Sequence, residues 1–461
     1  MRSSVNRPVL VAVLAAVLQP WQAFAQGTSE DRLLAKVIQA YRVAPMQPRP
    51  VSLGPKEQLG QALFFDPIVS GPRAISCGTC HVRSKGAGDG LPAAVGLGAR
   101  GVSDERLASK DAFIVPRNAL PFFNRGRSEF RAFFWDGRVQ LGSQGRFETP
   151  MGENLPKGFD SLLAAAAVFP PAEPDEMLGR SEERKRNAGK YHQELVEDTG
   201  AESNDFQQRT LVVFDRLVVR LVGVAGKPAT STQEKYRQLF AAAYPGVASD
   251  SIRIVHVGNA LAAYIGAAFE LQAAPWDQYV AGNVSAISNE QKRGALVFFG
   301  KGRCAVCHSG TQFSDFAFHG LAVPQLSVGK HGAFLDYGRA AATSRGVDRF
   351  KFRTPPLRNV STTGPWGHNG AFTSLPQIIE HHFNPVPALF RAQQSHPETV
   401  QHAGRLLAQR SPLLGEISPL SADEVRTLVA FLQALTSPTV MTDDQALPAS
   451  VPSGDNQFVV R

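Results

Sequence analysis

Four cysteines and the histidines beside them carry the strongest chemical signal in the chain. They stand as Cys77, Cys80, Cys304 and Cys307, in CGTCH and CAVCH, and each pair is followed at once by a histidine, His81 and His308. Two thiols with an adjacent imidazole are what a covalently attached c-type haem requires: two thioethers to the porphyrin and one axial nitrogen on the iron. Four cysteines could instead close two disulfides, and a lone C-x-x-C could be redox-active or hold zinc. Two complete motifs that use every cysteine favour two haems, attached outside the cytoplasm. Between His81 and Gly101 there is no further His and no Met, so nothing local takes the other face of the first iron.

The elements that must hold these motifs are mainly helical. SIRIVHVGNALAAYIGAAFELQAA and SNEQKRGALVFFGKGRCAVCH place apolar residues at spacings of three and four, as buried-face helices do. SADEVRTLVAFLQAL adds another helix with Ser421 as its N-cap. Strand-like alternation is sparse, so the expected fold is mainly α, with two cytochrome c-like haem domains packed against each other. The first haem motif falls in an N-terminal domain over 26–230 and the second in a C-terminal domain over 231–440. Residues 441–461, with Pro448, Pro452 and Ser453, read as a flexible tail. GRSEERKRNAGKYHQELVEDTGAESNDFQQR is charged and poorly patterned, as a solvated surface excursion would be. No internal repeat beyond the haem motif is evident.

Residues 1–25 read as a signal peptide. Arg2 and Arg7 precede the apolar run PVLVAVLAAVL, too short to span a bilayer, and Ala23-Phe24-Ala25 forms an A-x-A cleavage site. An uncleaved anchor is the alternative; cleavage implies a periplasmic protein and lowers the formal charge from +8 to +6. With no Lys/Arg run and no binding motif, that excess does not indicate nucleic acid. The most apolar later segment, LVVFDRLVVRLVGVAG, is interrupted by Asp215, Arg216 and Arg220, so no membrane span is expected after processing.

FFWDGR (133–138), the Glu176-Met177 pair, FRTPPLRNV (352–360) and GPWGHNGAFTSL (364–375) resemble, in order, the motifs of the bacterial dihaem cytochrome c peroxidases and their MauG-like relatives. The resemblance covers about residues 45 to 440. It implies that the N-terminal haem is the peroxide site, that the C-terminal haem passes electrons to it, and that Trp135 lies between them; simple packing on haem is the alternative for Trp135. It makes Glu176 the group that moves a proton during O–O cleavage, although Ala166 stands where the family has Gln. Glu148 and Glu153 are the reserves, and a surface ion pair is the other reading of Glu176.

For the second haem the family places Met, or Tyr in the MauG branch, fourteen residues after the His of P-x-x-H-x-G, and here that position is His382. No Met lies between residues 178 and 440, so ligation by His308 and His382 is expected, at a potential below that of a His/Met haem. His381 competes, and a solvent-facing His382 is the alternative. The resemblance further implies a Ca²⁺ ion held by Asn118 and the backbone oxygens of Thr363 and Pro365, and places His368 near the first haem. A family His sixteen residues beyond the first haem His, which closes the oxidised site, is replaced by Leu97, which at most lines the pocket. Leu97→His is then expected to restore dependence on prior reduction.

The activity so implied is reduction of hydrogen peroxide with electrons from a small redox protein such as a monohaem cytochrome c or cupredoxin. A MauG-like peroxide-dependent oxidation of a protein or organic substrate is the second reading, and a non-catalytic dihaem electron carrier the third. Family members are often homodimers.

Overall fold

Helix α1 (Ser29–Ala40) begins at Thr28, whose hydroxyl accepts from the Asp31 N–H while the Asp31 carboxylate accepts from the Thr28 N–H. The computed structural model describes residues 22–108, 112–179, 195, 205–326, 335–395, 398–415, 418–457 and 459. Helices dominate it: α2 (Pro55–Phe65), α3 (Leu162–Ala167), α4 (Phe206–Val222), α5 (Ser231–Ala243), α6 (Ile254–Ala268), α7 (Asn289–Phe299), α8 (Leu375–Phe383) and α9 (Ala422–Gln433). Ser421 caps α9 as expected, accepting from the Glu424 N–H. Each haem motif adds a single tight turn, Cys77–Cys80 and Cys304–Val306.

Two apolar cores follow, each with a haem motif at its edge. In the first, α2 crosses α6 so closely that a Cβ on Gly60 would lie 1.9 Å from the Ala260 carbonyl oxygen. In the second, α7 crosses α9, and a Cβ on Gly294 would lie 1.9 Å from the Thr427 oxygen. Only glycine fits either crossing. Both helices run G-x-x-x-F-F, with Phe64-Phe65 and Phe298-Phe299 buried in their respective cores. The chain therefore carries a structural repeat beyond the haem motif, contrary to the expectation above.

The domain boundaries also move. α5 and α6 lie beyond residue 230 but pack in the first core, where Leu261, Tyr264 and Ile265 face α2 and its neighbours. α1, expected in the N-terminal domain, belongs to the second core through Leu34 and Ile38. Its buried Asp31 accepts from Tyr279 Oη at 2.7 Å and pairs with Lys292 Nζ at 2.8 Å. Residues 441–457 are no loose tail: Met441, Ala446, Leu447 and Val451 are buried in the first core, and Tyr264 Oη donates to the Ala446 carbonyl at 3.0 Å. Apolar periodicity marks which face of a helix is buried, not which core receives it. Phe24, inside the expected cleavage motif, packs edge-on against Tyr279. Most of the charged segment over 179–209 lies outside the described residues.

The strands are short. β1 (Ala132–Phe133), β2 (Val139–Leu141) and β3 (Phe147–Glu148) form an antiparallel sheet with Phe133 opposite Val139. WDGR is the connection from β1 to β2. Phe134 and Gly137 both take φ of +63°, and a Cβ on Gly137 would strike the Phe318 ring. β4 (Phe318–His319) pairs with β5 (Phe352–Arg353), and the Arg353 N–H donates to the Trp135 carbonyl at 2.8 Å. No helix among the described residues is long and apolar enough to cross a membrane.

Candidate active site

The first cavity opens beside the Cys77–Cys80 turn. Cys77, Cys80 and His81 line it together with Ala166, Glu173, Asp175, Glu176 and Met177 from the segment around and after α3. His81 Nδ1 lies 3.2 Å from the Ala87 carbonyl, which fixes the proton there and leaves Nε2 as the nitrogen with a lone pair to offer. Phe122 stacks on the His81 ring at 3.6 Å, and burial lowers the imidazole's pKa to about 4, so it is held neutral. Glu176 sits in the five-residue turn Pro174–Leu178, directly after Glu173 and Asp175, which face the same space. Glu173 is buried and lies 3.9 Å from Arg138 of WDGR. Glu148 and Glu153 are exposed and do not line the cavity; Glu148 instead accepts from Gln140.

The second cavity lies beside Cys304–Val306. Cys304, Cys307, His308 and His382 line it. The His308 and His382 ring centroids are 6.5 Å apart, which leaves room for one metal ion between two facing nitrogens at ordinary metal–nitrogen distances of about 2 Å each. His308 Nδ1 is 3.0 Å from the Phe313 carbonyl and His382 Nδ1 is 2.7 Å from the Ile378 carbonyl, so both offer Nε2. Burial, and then the neighbouring His382, lowers His308 to about 4. His381 points away: its Nε2 meets the Leu321 carbonyl at 2.8 Å, and it does not line the cavity. Burial pushes the Cys77, Cys80 and Cys304 thiols up to about 12. Each cavity is thus lined by two cysteine sulfurs and by the histidine next to them, the groups a covalently attached haem takes. The donor set therefore fits a haem in each cavity.

Trp135 lines both cavities and so stands between them. Its Nε1 donates to the Asn118 carbonyl at 3.0 Å. Arg117, next in sequence, holds Asp136 at 2.6 Å and Asp336 at 2.7 Å. His368 lines the second cavity rather than the first, stacked on Phe352 at 3.5 Å. Asn118 and Pro365 are brought together, but the Asn118 amide nitrogen donates to the Leu91 carbonyl at 2.7 Å and faces the Pro365 carbonyl at 3.4 Å. Thr363 lines the cavity nearby, with its hydroxyl turned to the Val360 carbonyl. Asn118 and Pro365, two of the three residues expected at a Ca²⁺ site, are therefore adjacent, with Thr363 near them.

Residues 54–285 match the family model for di-haem cytochrome c peroxidase. The chain belongs to that family. Among its relatives, the methylamine utilization protein MauG of Methylorubrum extorquens is 29% identical over 94% of this chain and 96% of that protein. The cytochrome c551 peroxidase of Pseudomonas aeruginosa is 27% identical over 89% of this chain and 86% of that one. Among solved structures, a MauG-like protein associated with microbial copper homeostasis superposes with a TM-score of 0.55 at 22% identity, covering 88% of this chain and 96% of that one. The family carries two haem groups, in keeping with the two cavities.

In this member of the family the sequence left three lining residues unnoticed. Glu173 could have been suspected from the acid-rich run AEPDEM. Arg125 and Arg353 carry no spacing signal, because what singles them out is burial at a cavity wall.

Proposed function

We propose that this dihaem protein is a periplasmic peroxidase that reduces hydrogen peroxide to water with two electrons and two protons, the electrons coming from a small redox protein. The observation that carries the reading is the asymmetry of the cavities. Of the four imidazoles that line the second, His308 and His382 lie opposite each other with ring centroids 6.5 Å apart, whereas among the described residues His81 is the one imidazole lining the first, where three carboxylates line the same space. Two nitrogen ligands saturate a metal for electron transfer; one leaves room for a substrate beside an acid. When bound, the haems supply the iron on which peroxide is activated and the electrons it consumes.

The chain's own groups do the rest. Glu176 takes a proton from one peroxide oxygen and returns it to the other, which turns the departing oxygen into water. Glu173, held beside Arg138, helps orient the substrate in the same space. Trp135, fixed through Nε1 and its carbonyl, joins the two cavities by a π-system.

A second reading, peroxide-dependent oxidation of a protein or organic substrate as in MauG, draws support from the same His308–His382 pair. Bis-imidazole ligation lowers a haem potential relative to His/Met and makes reduction by a high-potential donor harder. Steady-state consumption of peroxide with a reduced monohaem cytochrome c or cupredoxin tests the choice. Sustained turnover of two donor electrons per peroxide supports the peroxidase; donor-independent consumption of peroxide in the presence of an oxidisable substrate overturns it in favour of the second reading.

A further inference from the structure

The two cavities share a wall at Arg125, and its charge is unanswered. Arg125 is 4% exposed and lines both cavities. Its Nε donates to the Pro121 carbonyl at 2.9 Å, and its guanidinium lies over the Phe130 and Phe133 rings at 5.0 and 5.9 Å. Among the described residues no carboxylate pairs with it. Arg353, 1% exposed, lines the second cavity alone; it donates to the Phe134 and Thr354 carbonyls at 3.1 Å, while Nη2 is buried with no partner. The two cations sit close enough to disfavour each other.

Two buried guanidinium groups near one another cannot stay charged and unpaired without a large desolvation cost. Among the described residues no Asp or Glu lines the second cavity, and Arg358, the other buried arginine there, is already paired with Asp277. The missing anions must come with the occupants. A haem brings two carboxylates on flexible arms, and a planar guanidinium is suited to bind carboxylate oxygens two at a time.

We infer that Arg125 is a clamp shared by the two haems, binding a propionate from each, and that Arg353 binds a propionate of the second haem only. The inference rests on a haem being seated in each cavity. A fixed cation beside both porphyrins favours their reduced forms, because reduction removes a positive charge from each iron. One side chain therefore sets both potentials.

Spectroelectrochemical titration of the holoprotein tests this, with haem content checked first by intact mass. Arg125→Gln should lower both potentials, each reduction equilibrium shifting at least tenfold, about 59 mV for a one-electron couple. Arg353→Gln should lower the second haem's potential and leave the first in place. Arg125→Lys, which keeps the charge, should hold both near wild type, and it decides the matter if the Gln variant fails to mature. Two attached haems with one or neither potential moved in Arg125→Gln, or with one displaced in Arg125→Lys, overturn the clamp. A protein lacking one haem in its unaltered form would instead overturn the two-haem reading beneath it.

Discussion

At the scale of single residues, the first cavity poses a choice among three acids within one short turn. Glu173 is neighboured by Arg138, and Asp175 and Glu176 line the same cavity. Glu176→Gln preserves shape and removes the titrating proton, so peroxide should still bind while its cleavage slows by roughly 10² to 10⁴. Stopped-flow kinetics on the Gln variant measures this directly, and wild-type rates there would move the role to Asp175 or to water. In the second cavity the two facing imidazoles make an equally local claim. His382→Ala should convert one low-spin haem to high-spin in the low-temperature EPR spectrum while His381→Ala leaves it low-spin, since His381 is turned to the Leu321 carbonyl. Two low-spin signals in the His382 variant would remove that residue from the ligand set.

At the scale of elements, the segment over 94–97 decides whether the first site can close. Ala94 and Gly96 line the cavity, while Val95 and Leu97 point the other way into apolar clusters, the alternation of an extended chain. Leu97 thus lies in the core rather than lining the pocket, which corrects the sequence expectation. The segment is pinned along its length: Gly96 N–H donates to the Phe113 carbonyl at 2.8 Å, Phe113 N–H to Leu97 at 2.9 Å, and Arg106 Nε to Val95 at 2.9 Å. A Cβ on Gly96 would come within 2.0 Å of the Asp175 oxygen, so the segment also abuts the acid turn. The oxidised enzyme should therefore react with peroxide and bind cyanide without prior reduction, seen as a prompt Soret shift on rapid mixing. Leu97→His should bury an imidazole in the core and cost about 1–3 kcal/mol of stability without closing the site. An enzyme that becomes dependent on reduction in that variant would show the segment swinging round.

The same element shows what a sequence can and cannot tell. CGTCH and CAVCH were legible because covalent attachment demands fixed residue types at a fixed spacing, whereas the fourteen-residue step from His368 to His382 was legible only through the family resemblance. The G-x-x-x-F-F repeat was present but silent, since a glycine at a helix crossing looks like any other until its neighbour is known. The facing direction of Leu97, the core that receives α6, and the pairing of Arg125 depend on tertiary placement, and apolar periodicity does not encode them.

At the scale of the whole molecule, the seam between the two halves holds a buried ion cluster beside apolar contacts such as Phe130 on Phe316. Arg117 of the first half reaches Asp336 of the second with two nitrogens, at 2.7 and 2.8 Å, while holding Asp136 beside Trp135. Burial alone would lower the Arg117 pKa and raise that of Asp336, but the ion pairs outweigh burial in both, keeping Arg117 above and Asp336 below their ordinary ranges. Arg339 adds donation to the Asp136 and Gly137 carbonyls at 3.0 and 2.8 Å. Such a seam holds only while every charge is answered, because a buried ion that loses its partner costs about 3–5 kcal/mol. Asp336→Ala leaves Arg117 with Asp136, which Arg138 already shares at 3.3 Å, so the loss should fall at the lower end, about 3 kcal/mol. Because that loss lies between the cores and not within either, it should split thermal unfolding into two calorimetric transitions and slow electron exchange between the haems through the loosened Trp135. Replacing Arg117 and Asp336 together by Met and Leu should recover only part of the loss, since the buried Asp136 then keeps Arg138, at 3.3 Å, as its ion-pair partner. A single unshifted transition in Asp336→Ala would mean that the shared haem contacts, not this ion cluster, hold the two halves together.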